Sequence, residues 1–205
     1  MNSKEVCRRW AERDGEYSPE YYAYYGPDKT SESVRSILAR FVDRDASVLE
    51  LGCSSGRHLS HLSEHGFENL YGIEVNGDAF DVMEETYPDL AADGTFYHDA
   101  IEDVVEDFDD GQFDAIYSVE TLQHLHPDVD WVFEELSRIT DDLLITVENE
   151  GEDDTSQPDD PDVNYVNGDF PLYYRDWNRV FTELGFVEID ATDGKRDTIR
   201  TFRSR

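Results

Sequence analysis

Apolar and polar positions alternate between two kinds of segment along most of the chain. Helical spacing of apolar residues predicts a helix through Leu59 and Leu62, another from Asp78 to Tyr87 and another around Val129 to Ile139. Five short apolar runs of strand length lie between or beside them, at Ser47–Leu51, Leu70–Glu74, Thr95–His98, Phe113–Ser118 and Asp142–Val147. Strands separated by helices predict βαβ units and a mainly parallel sheet.

The C-terminal part of the pattern differs. A helix is predicted around Tyr173 to Leu184, followed by strands near Phe186–Ile189 and Asp197–Phe202. The turn Thr192–Lys195 contains Asp-Gly, a hairpin signal, so the last two strands should form an antiparallel pair. The acidic segment Glu148–Phe170 is long for a loop in one domain, which is typical of lids and of disordered segments. Its acids indicate either salt adaptation or a preference for a cationic acceptor.

The N-terminal stretch is predicted to be helical and unusually rich in tyrosine. Thr30 and Ser31 can cap a helix that runs through Ser33 to Phe41. Before it stand Tyr17, Tyr21, Tyr22, Tyr24 and Tyr25. We predict one domain over residues 1–205, with residues 1–44 as a helical lead-in and residues 45–205 as the core.

Acidic residues dominate the composition. Asp and Glu number 49 against 17 Lys and Arg, which gives a net charge of −32. Such charge destabilises the compact state and repels phosphates at low salt. At molar salt the Debye length shrinks to about 3 Å and the repulsion is largely screened. Because the acids are spread along the whole chain, we interpret them as adaptation to a salty cytoplasm and expect no nucleic acid partner.

Several other classes are not indicated. No apolar run approaches about 18 residues, so no membrane-spanning helix is predicted. The N-terminus lacks the apolar segment of a secretory signal. Cys7 and Cys53 form neither a disulfide framework nor a metal-ligand pattern. We therefore expect a cytoplasmic protein with reduced thiols, no membrane association and no metal site.

A glycine-containing turn, Gly52–Gly56, follows the first strand. Small residues let the backbone approach a ligand, although a turn of this kind also forms without one. Two acidic residues favour the interpretation that this turn binds a ligand. Glu74 closes the second strand, where a carboxylate can accept both hydroxyls of a ribose, and Asp99 follows the third, where it can accept from an adenine amino group. The three strand ends together predict a nucleoside site.

The glycines do not follow the dinucleotide pattern G-x-G-x-x-G, because Ser54 and Arg57 stand where it needs glycine. Instead, VLELGCSSGRHL resembles motif I of the class I S-adenosylmethionine-dependent methyltransferases, D/E-x-G-x-G-x-G. Glu50, Gly52 and Gly56 match that motif, and Ser54 replaces its central glycine. Further along, YGIEVN, HDAIED and FDAIYSVETLQHLHP resemble the family's later motifs in the same order.

The resemblance implies a Rossmann-like, doubly wound, seven-stranded sheet that is mainly parallel, with an antiparallel C-terminal hairpin and helices on both faces. It also implies S-adenosylmethionine as cofactor and S-adenosylhomocysteine as product. The implied cofactor-binding residues follow four strands: Glu50, Gly52, Cys53 and Gly56 at the first, Glu74 and Val75 at the ribose, Asp99 and Ala100 at the adenine, and Ser118 and Val119 near the sulfonium.

Methyl transfer needs mainly in-line alignment of the acceptor at about 3–3.5 Å. A general base is needed only for a protonated acceptor. The candidates are His124, which falls where family members often carry a histidine, and Glu120. Alternatively, His124 fixes its loop by a hydrogen bond and Glu120 caps a helix or contacts the cofactor. Tyr21 and Tyr25 are the candidates for a lid over the acceptor pocket, and packing is their alternative role.

The predicted function is transfer of a methyl group from S-adenosylmethionine to a small-molecule acceptor by a monomer or homodimer. A protein acceptor is one alternative. A non-catalytic S-adenosylmethionine-binding protein of the same fold is another, and a nucleotide-dependent oxidoreductase is the third. The residues do not indicate whether oxygen, nitrogen, carbon or sulfur receives the methyl group.

Overall fold

A computed structural model describes residues 1–151, 163–166, 168 and 170–205. Its strands are β1 Ser47–Leu51, β2 Asn69–Glu74, β3 Thr95–His98, β4 Phe113–Val119, β5 Thr140–Glu148, β6 Val163–Val166, β7 Phe170–Tyr173, β8 Val187–Asp193 and β9 Thr198–Arg203. Its α-helices are α1 Ser3–Ala11, α2 Pro19–Tyr25, α3 Lys29–Phe41, α4 Arg57–Glu64, α5 Asp78–Thr86, α6 Pro88–Asp93, α7 Ile101–Val104, α8 Val132–Ile139 and α9 Trp177–Glu183.

Seven strands form one sheet in the order β3-β2-β1-β4-β5-β9-β8. The first five are parallel, and β9 and β8 complete the sheet as an antiparallel hairpin. This confirms the predicted Rossmann-like sheet. The strand order reverses between β1 and β4, the point at which ligands bind in open sheets of this kind.

Alternate side chains of each strand pack into two separate hydrophobic cores, because successive residues of a strand point to opposite faces of the sheet. One face packs Leu49 and Ile116 against the residues of α8 and α9. The other face packs Val48 and Tyr117 against the residues of α3, α4 and α5. Helices therefore cover both faces, as predicted.

Helix α3 of the lead-in begins earlier in the sequence than the pattern indicated. The cap of α3 is Asp28, whose Oδ1 accepts from the backbone N of Thr30 at 2.8 Å and of Ser31 at 3.1 Å. Thr30 and Ser31 thus lie inside the helix rather than at its cap.

Among the described residues, no helix is long and apolar enough to cross a bilayer.

The region before α9 differs most from the prediction. Phe170–Tyr173 is a strand, paired with Val163–Val166 in a small antiparallel sheet, and α9 begins only at Trp177 because Asp176 caps it. Strand and helix signals overlap here, since aromatic residues suit both. Of the predicted loop at 148–170, residues 152–162, 167 and 169 lie outside the described residues.

Candidate functional site

A large cavity opens at the carboxyl ends of β1, β2 and β4. Its volume is about 1360 Å³ when the open mouth is included. The turns after these strands form what we call the floor, and residues of α1, α2 and the segment between them form the roof.

The turn after β1 uses left-handed backbone. Gly52 has φ +67° and Ser54 has φ +47°. A Cβ on Gly52 would come within 2.4 Å of Thr121 Oγ1, so glycine lets the loop after β4 approach the turn. Ser54 takes the conformation that a central glycine would adopt freely, at a cost of about 1–2 kcal/mol.

Glu74 closes β2, and two backbone amides orient its carboxylate. Ser54 N donates to Oε2 at 2.8 Å, and Asn76 N donates to Oε1 at 2.7 Å. Burial raises the pKa of Glu74, against the effect of these donors. Each carboxylate oxygen can accept a second hydrogen bond. The side chain lines the cavity and therefore retains acceptor capacity toward a ligand.

Glu50 lies at the bottom of the floor and is only 1% exposed. Tyr117 Oη donates to its Oε2 at 2.9 Å. Burial raises the pKa of Glu50 well above its ordinary range. The hydrogen bond ties the end of β1 to its neighbour β4 beneath the turn.

The end of β3 lies beside that of β2. Asp99 N donates to the carbonyl oxygen of Glu74 at 3.1 Å. Asp99, Ala100 and Val75 all line the cavity. Parallel pairing has thus placed the two acids that follow β2 and β3 on the same edge of the sheet.

The loop after β4 is anchored by Glu148, a fully buried residue at the end of β5. Its Oε1 accepts from Ser118 Oγ at 2.7 Å, Thr121 N at 3.2 Å and Leu122 N at 3.1 Å, and its Oε2 accepts from Gln123 N at 3.2 Å. Burial raises the pKa of Glu148 to about 7. Sequence analysis missed this residue, whose only signal was an acid at the end of an apolar strand.

Most of the sequence that forms the floor is similar to a known protein family. Residues 48–142 match the methyltransferase domain family. This segment, somewhat less than half of the chain, is therefore similar to a class I S-adenosylmethionine-dependent methyltransferase domain, as its motifs predicted. The cofactor of that family is S-adenosylmethionine, whose sulfonium carries an activated methyl group.

Solved methyltransferase structures share the fold of this protein. Geranyl diphosphate C-methyltransferase from Streptomyces coelicolor A3(2), in complex with Mg²⁺, geranyl diphosphate and S-adenosylhomocysteine, has a TM-score of 0.72 at 12% identity, covering 99% of this chain and 98% of that one. The 1,6-didemethyltoxoflavin-N1-methyltransferase of Burkholderia thailandensis has a TM-score of 0.66 at 14% identity, covering 86% and 78%.

Curated proteins of similar sequence match a smaller part of this chain. EEF1A lysine methyltransferase 2 of Danio rerio is 29% identical over 79 residues, which is 34% of this chain and 34% of that protein. The same enzyme of Mus musculus is 31% identical over 64 residues, 31% of this chain and 26% of that protein. The chain thus spans about a third or less of these relatives.

Most residues predicted to hold the cofactor line the cavity, and two do not. Those on the cavity are Glu50, Gly52, Cys53, Glu74, Val75, Asp99, Ala100 and Val119. Gly56 instead faces the core, where an added Cβ would lie 2.8 Å from Leu90 Cδ2. Ser118 is fully buried and directs its hydroxyl to Glu148. Gly56 and Ser118 therefore lie beneath the floor and do not line the cavity.

His124 and Glu120 both line the cavity. Nδ1 of His124 lies 2.8 Å from the carbonyl oxygen of Pro171, so Nδ1 carries the proton and Nε2 is left as an acceptor. Burial lowers the pKa of His124 to about 4 and keeps the ring neutral at pH 7. Glu120 has φ +51° and its carboxylate pairs with Arg196.

The roof contains other tyrosines than the predicted pair. Tyr17 and Tyr22 line the cavity. Tyr21 and Tyr25, one helical turn apart on α2, contact each other edge-on with ring centroids 4.9 Å apart, and Tyr25 is 62% exposed. Neither of these two predicted lid residues lines the cavity.

Trp10 of α1 completes the roof. Its ring lies 4.7 Å edge-on from His124 and 4.3 Å from Phe170, measured between centroids. Its buried Nε1 donor has no hydrogen-bond partner among the described residues. Since a buried Trp N–H usually has a partner, the cavity beside it is suited to a ligand with an acceptor atom.

Three arginines on the cavity were not expected from the sequence. Arg196 comes from the turn between β8 and β9 and pairs with Glu120. Arg57, at the start of α4, lies over the Tyr22 ring at 4.8 Å. Arg13 lies over the Phe170 ring at 4.7 Å. Only the fold brings such distant positions together, and no local motif marks them.

Proposed function

We propose that this methyltransferase acts on a small molecule held between the cofactor and the aromatic roof. The observation that carries the proposal is the continuity of one cavity from Glu74 and Asp99 on the floor to Trp10, Tyr17 and Tyr22 on the roof. A roof made by the chain's own helices favours an acceptor that can be enclosed. Two neighbours of the same fold were crystallised with small molecules, geranyl diphosphate and 1,6-didemethyltoxoflavin.

In this proposal the floor binds S-adenosylmethionine. Glu74 accepts the ribose hydroxyls with the acceptor capacity that Ser54 and Asn76 leave free. Asp99 accepts from the adenine amino group, and Val75 and Ala100 border the ring. The turn at Gly52 and Cys53 runs beside the methionine part, and Val119 lies next to the sulfonium.

A substitution at the ribose position tests this assignment. Glu74→Ala should weaken S-adenosylhomocysteine binding by about 1–3 kcal/mol, because the hydroxyls lose a charged partner. Glu68→Ala, which removes an exposed acid just before β2, is the matched control for net charge and should leave affinity unchanged. Calorimetric titration measures both, and equal affinities in the two variants would show that the ribose lies elsewhere.

His124 is the proposed general base for an acceptor that must lose a proton. Its neutral ring and free Nε2 suit acceptance of a proton, and the carbonyl of Pro171 fixes its orientation. Glu120, already paired with Arg196, would position the acceptor rather than deprotonate it. His124→Gln should lower turnover while S-adenosylhomocysteine affinity stays within about twofold of the parent. Equal loss of both would assign His124 a structural role.

The acceptor itself is tested by transfer of labelled methyl from S-adenosylmethionine to panels of small amines, phenols, carboxylic acids and thiols. Lysine-containing protein acceptors form a parallel arm, since EEF1A lysine methyltransferase 2 matches part of the chain. Turnover in the small-molecule arm alone supports the proposal, and turnover of proteins alone contradicts it. Tight cofactor binding without turnover in either arm would favour the non-catalytic alternative.

The proposed setting is a salty cytoplasm, because 49 acids oppose 17 basic residues. Exposed like charges at this density repel one another until salt screens them. The thermal midpoint should therefore rise steeply when KCl is raised from millimolar to molar. A midpoint that is unchanged or lower in molar KCl would contradict salt adaptation.

A further inference from the structure

Three potential metal ligands meet on the outer surface of α3 and α4, apart from the residues that line the cavity. They are Glu32 in the first turn of α3, His61 in the last turn of α4, and His65, which caps α4. One donor atom from each lies within 4.8 Å of the other two. Sequence analysis gave no metal site, because its search covered cysteine patterns only.

The two histidines are spaced to share a cation. Residues four apart lie on the same face of a helix, and the ring centroids of His61 and His65 are 4.3 Å apart. His61 Nε2 lies 3.0 Å from Glu32 Oε2. That separation is close to the distance between neighbouring ligands of one tetrahedral zinc ion, given Zn–N and Zn–O bonds of about 2.0–2.2 Å.

The surroundings of the three groups also match a metal site. His65 Nδ1 lies 2.7 Å from the carbonyl oxygen of His61, which fixes Nδ1 as the protonated nitrogen and leaves Nε2 free to bind a metal. Arg35 and Ser36 donate to the Glu32 carboxylate. Arg35 holds the pKa of Glu32 well below its usual range, so this ligand is ionised.

We propose that Glu32, His61 and His65 bind one divalent transition-metal ion, with zinc as the representative, and that water completes its coordination. Two imidazoles and one carboxylate favour zinc, nickel or copper over magnesium or calcium, which prefer oxygen ligands. The ion joins α3 to α4, the helix that follows the cofactor turn. Its role is to hold these two helices together.

Calorimetric titration of the full chain with Zn²⁺ in molar KCl tests the site, because salt at that level screens diffuse attraction to the acidic surface. We expect one ion per chain and no competition from excess Mg²⁺. Loss of a second-shell partner alone typically costs 10–100-fold in metal affinity, so His61→Ala and His65→Ala should each weaken binding at least about tenfold. His126→Ala removes a histidine outside the cluster and should leave zinc affinity unchanged.

S-adenosylhomocysteine is titrated into the same samples to show that every variant is folded. This readout also separates the metal site from the proposed catalytic function, since neither depends on the other. The proposal is overturned if the parent binds no Zn²⁺, if Mg²⁺ displaces it, or if the double variant His61→Ala/His65→Ala retains the parent's affinity.

Discussion

The floor and the roof of the cavity are built in different ways. The floor is held by short hydrogen bonds between consecutive strand ends, from Ser54 to Glu74, from Tyr117 to Glu50 and from the loop after β4 to Glu148. The roof is held by aromatic contacts, such as those of Trp10 with His124 and Phe170, together with a few hydrogen bonds, such as that from Asn76 Nδ2 to the carbonyl oxygen of Arg13. Directional bonds fix atoms more narrowly than ring contacts do.

This difference suits the two molecules that the proposed methyltransferase would hold. A cofactor shared by a whole family needs a fixed constellation of donors and acceptors. An acceptor that varies between family members needs a surface whose side chains can change without disturbing the sheet. Substitutions on the floor should therefore alter folding and cofactor binding together, whereas those on the roof should alter only the acceptor.

The largest effect is expected at Gly52. Gly52→Val introduces a Cβ 2.4 Å from Thr121 Oγ1 on left-handed backbone, which should cost about 2–5 kcal/mol of unfolding free energy and abolish S-adenosylhomocysteine binding. Gly66→Val has the same backbone cost, with φ +84°, but nothing within 4 Å. It should lose only about 1–2 kcal/mol and keep its affinity. Urea unfolding and calorimetry compare the two, and similar losses in both would remove the special role of the floor.

A smaller effect, dependent on pH, is expected at Glu148. Burial raises its pKa from 4.5 to about 7, so the folded protein binds this proton more tightly than the unfolded chain does. The associated stability is present below pH 4.5 and is lost as the pH rises to about 7, a change of about 3 kcal/mol.

The test compares urea unfolding of the parent and Glu148→Gln across this pH range in molar KCl. The stability of the parent relative to the variant should fall as the pH rises, because glutamine does not titrate. Parallel profiles would mean that Glu148 is ionised in the fold throughout and that its four donors outweigh burial.

The contrast between floor and roof also explains what the sequence could predict. Glu50, Gly52, Glu74 and Asp99 follow strands whose order the βαβ pattern determines, so their meeting at one edge could be inferred. The roof depends on how α1 and α2 pack on a sheet far along the chain, for which local periodicity carries no signal. That is why the sequence did not indicate that Tyr17 and Tyr22 line the cavity.

Contacts between residues that are far apart in the sequence could not be predicted from it either. Arg196 reaches Glu120 across 76 positions of sequence, and Glu148 reaches the loop after β4 across the pairing of β4 with β5. Each pairing requires the sheet register before it can be foreseen. The hairpin at β6 and β7 was missed for a different reason, since most of it lies in the acidic segment that was predicted to be a loop.

On the roof, Tyr17→Ala should affect the acceptor alone. Loss of one aromatic contact costs about 0.5–1.5 kcal/mol, which corresponds to a fall in kcat/KM of roughly 2- to 12-fold for the acceptor that the panel identifies. S-adenosylhomocysteine affinity should stay unchanged. Tyr24→Ala is the control, because Tyr24 is 84% exposed and does not line the cavity. Equal effects in the two variants would contradict the position assigned to the roof.

The smallest effect is expected at Ser54. Ser54→Gly relieves left-handed strain of about 1–2 kcal/mol and loses about 0.5–1 kcal/mol to chain entropy, so the free energy of unfolding should rise by at most about 1.5 kcal/mol. Ser54→Ala keeps the Cβ and should give no gain. Thermal unfolding distinguishes them, and a glycine variant less stable than the alanine variant would show that Ser54 is not strained.

The most direct measurement is calorimetric titration of the purified protein in molar KCl with S-adenosylhomocysteine and, separately, with NAD. If the floor is the cofactor site of a methyltransferase, S-adenosylhomocysteine binds tightly at one molecule per chain and NAD does not bind. Binding of NAD alone, or of neither ligand by protein shown to be folded in that buffer, would contradict the assignment of the floor.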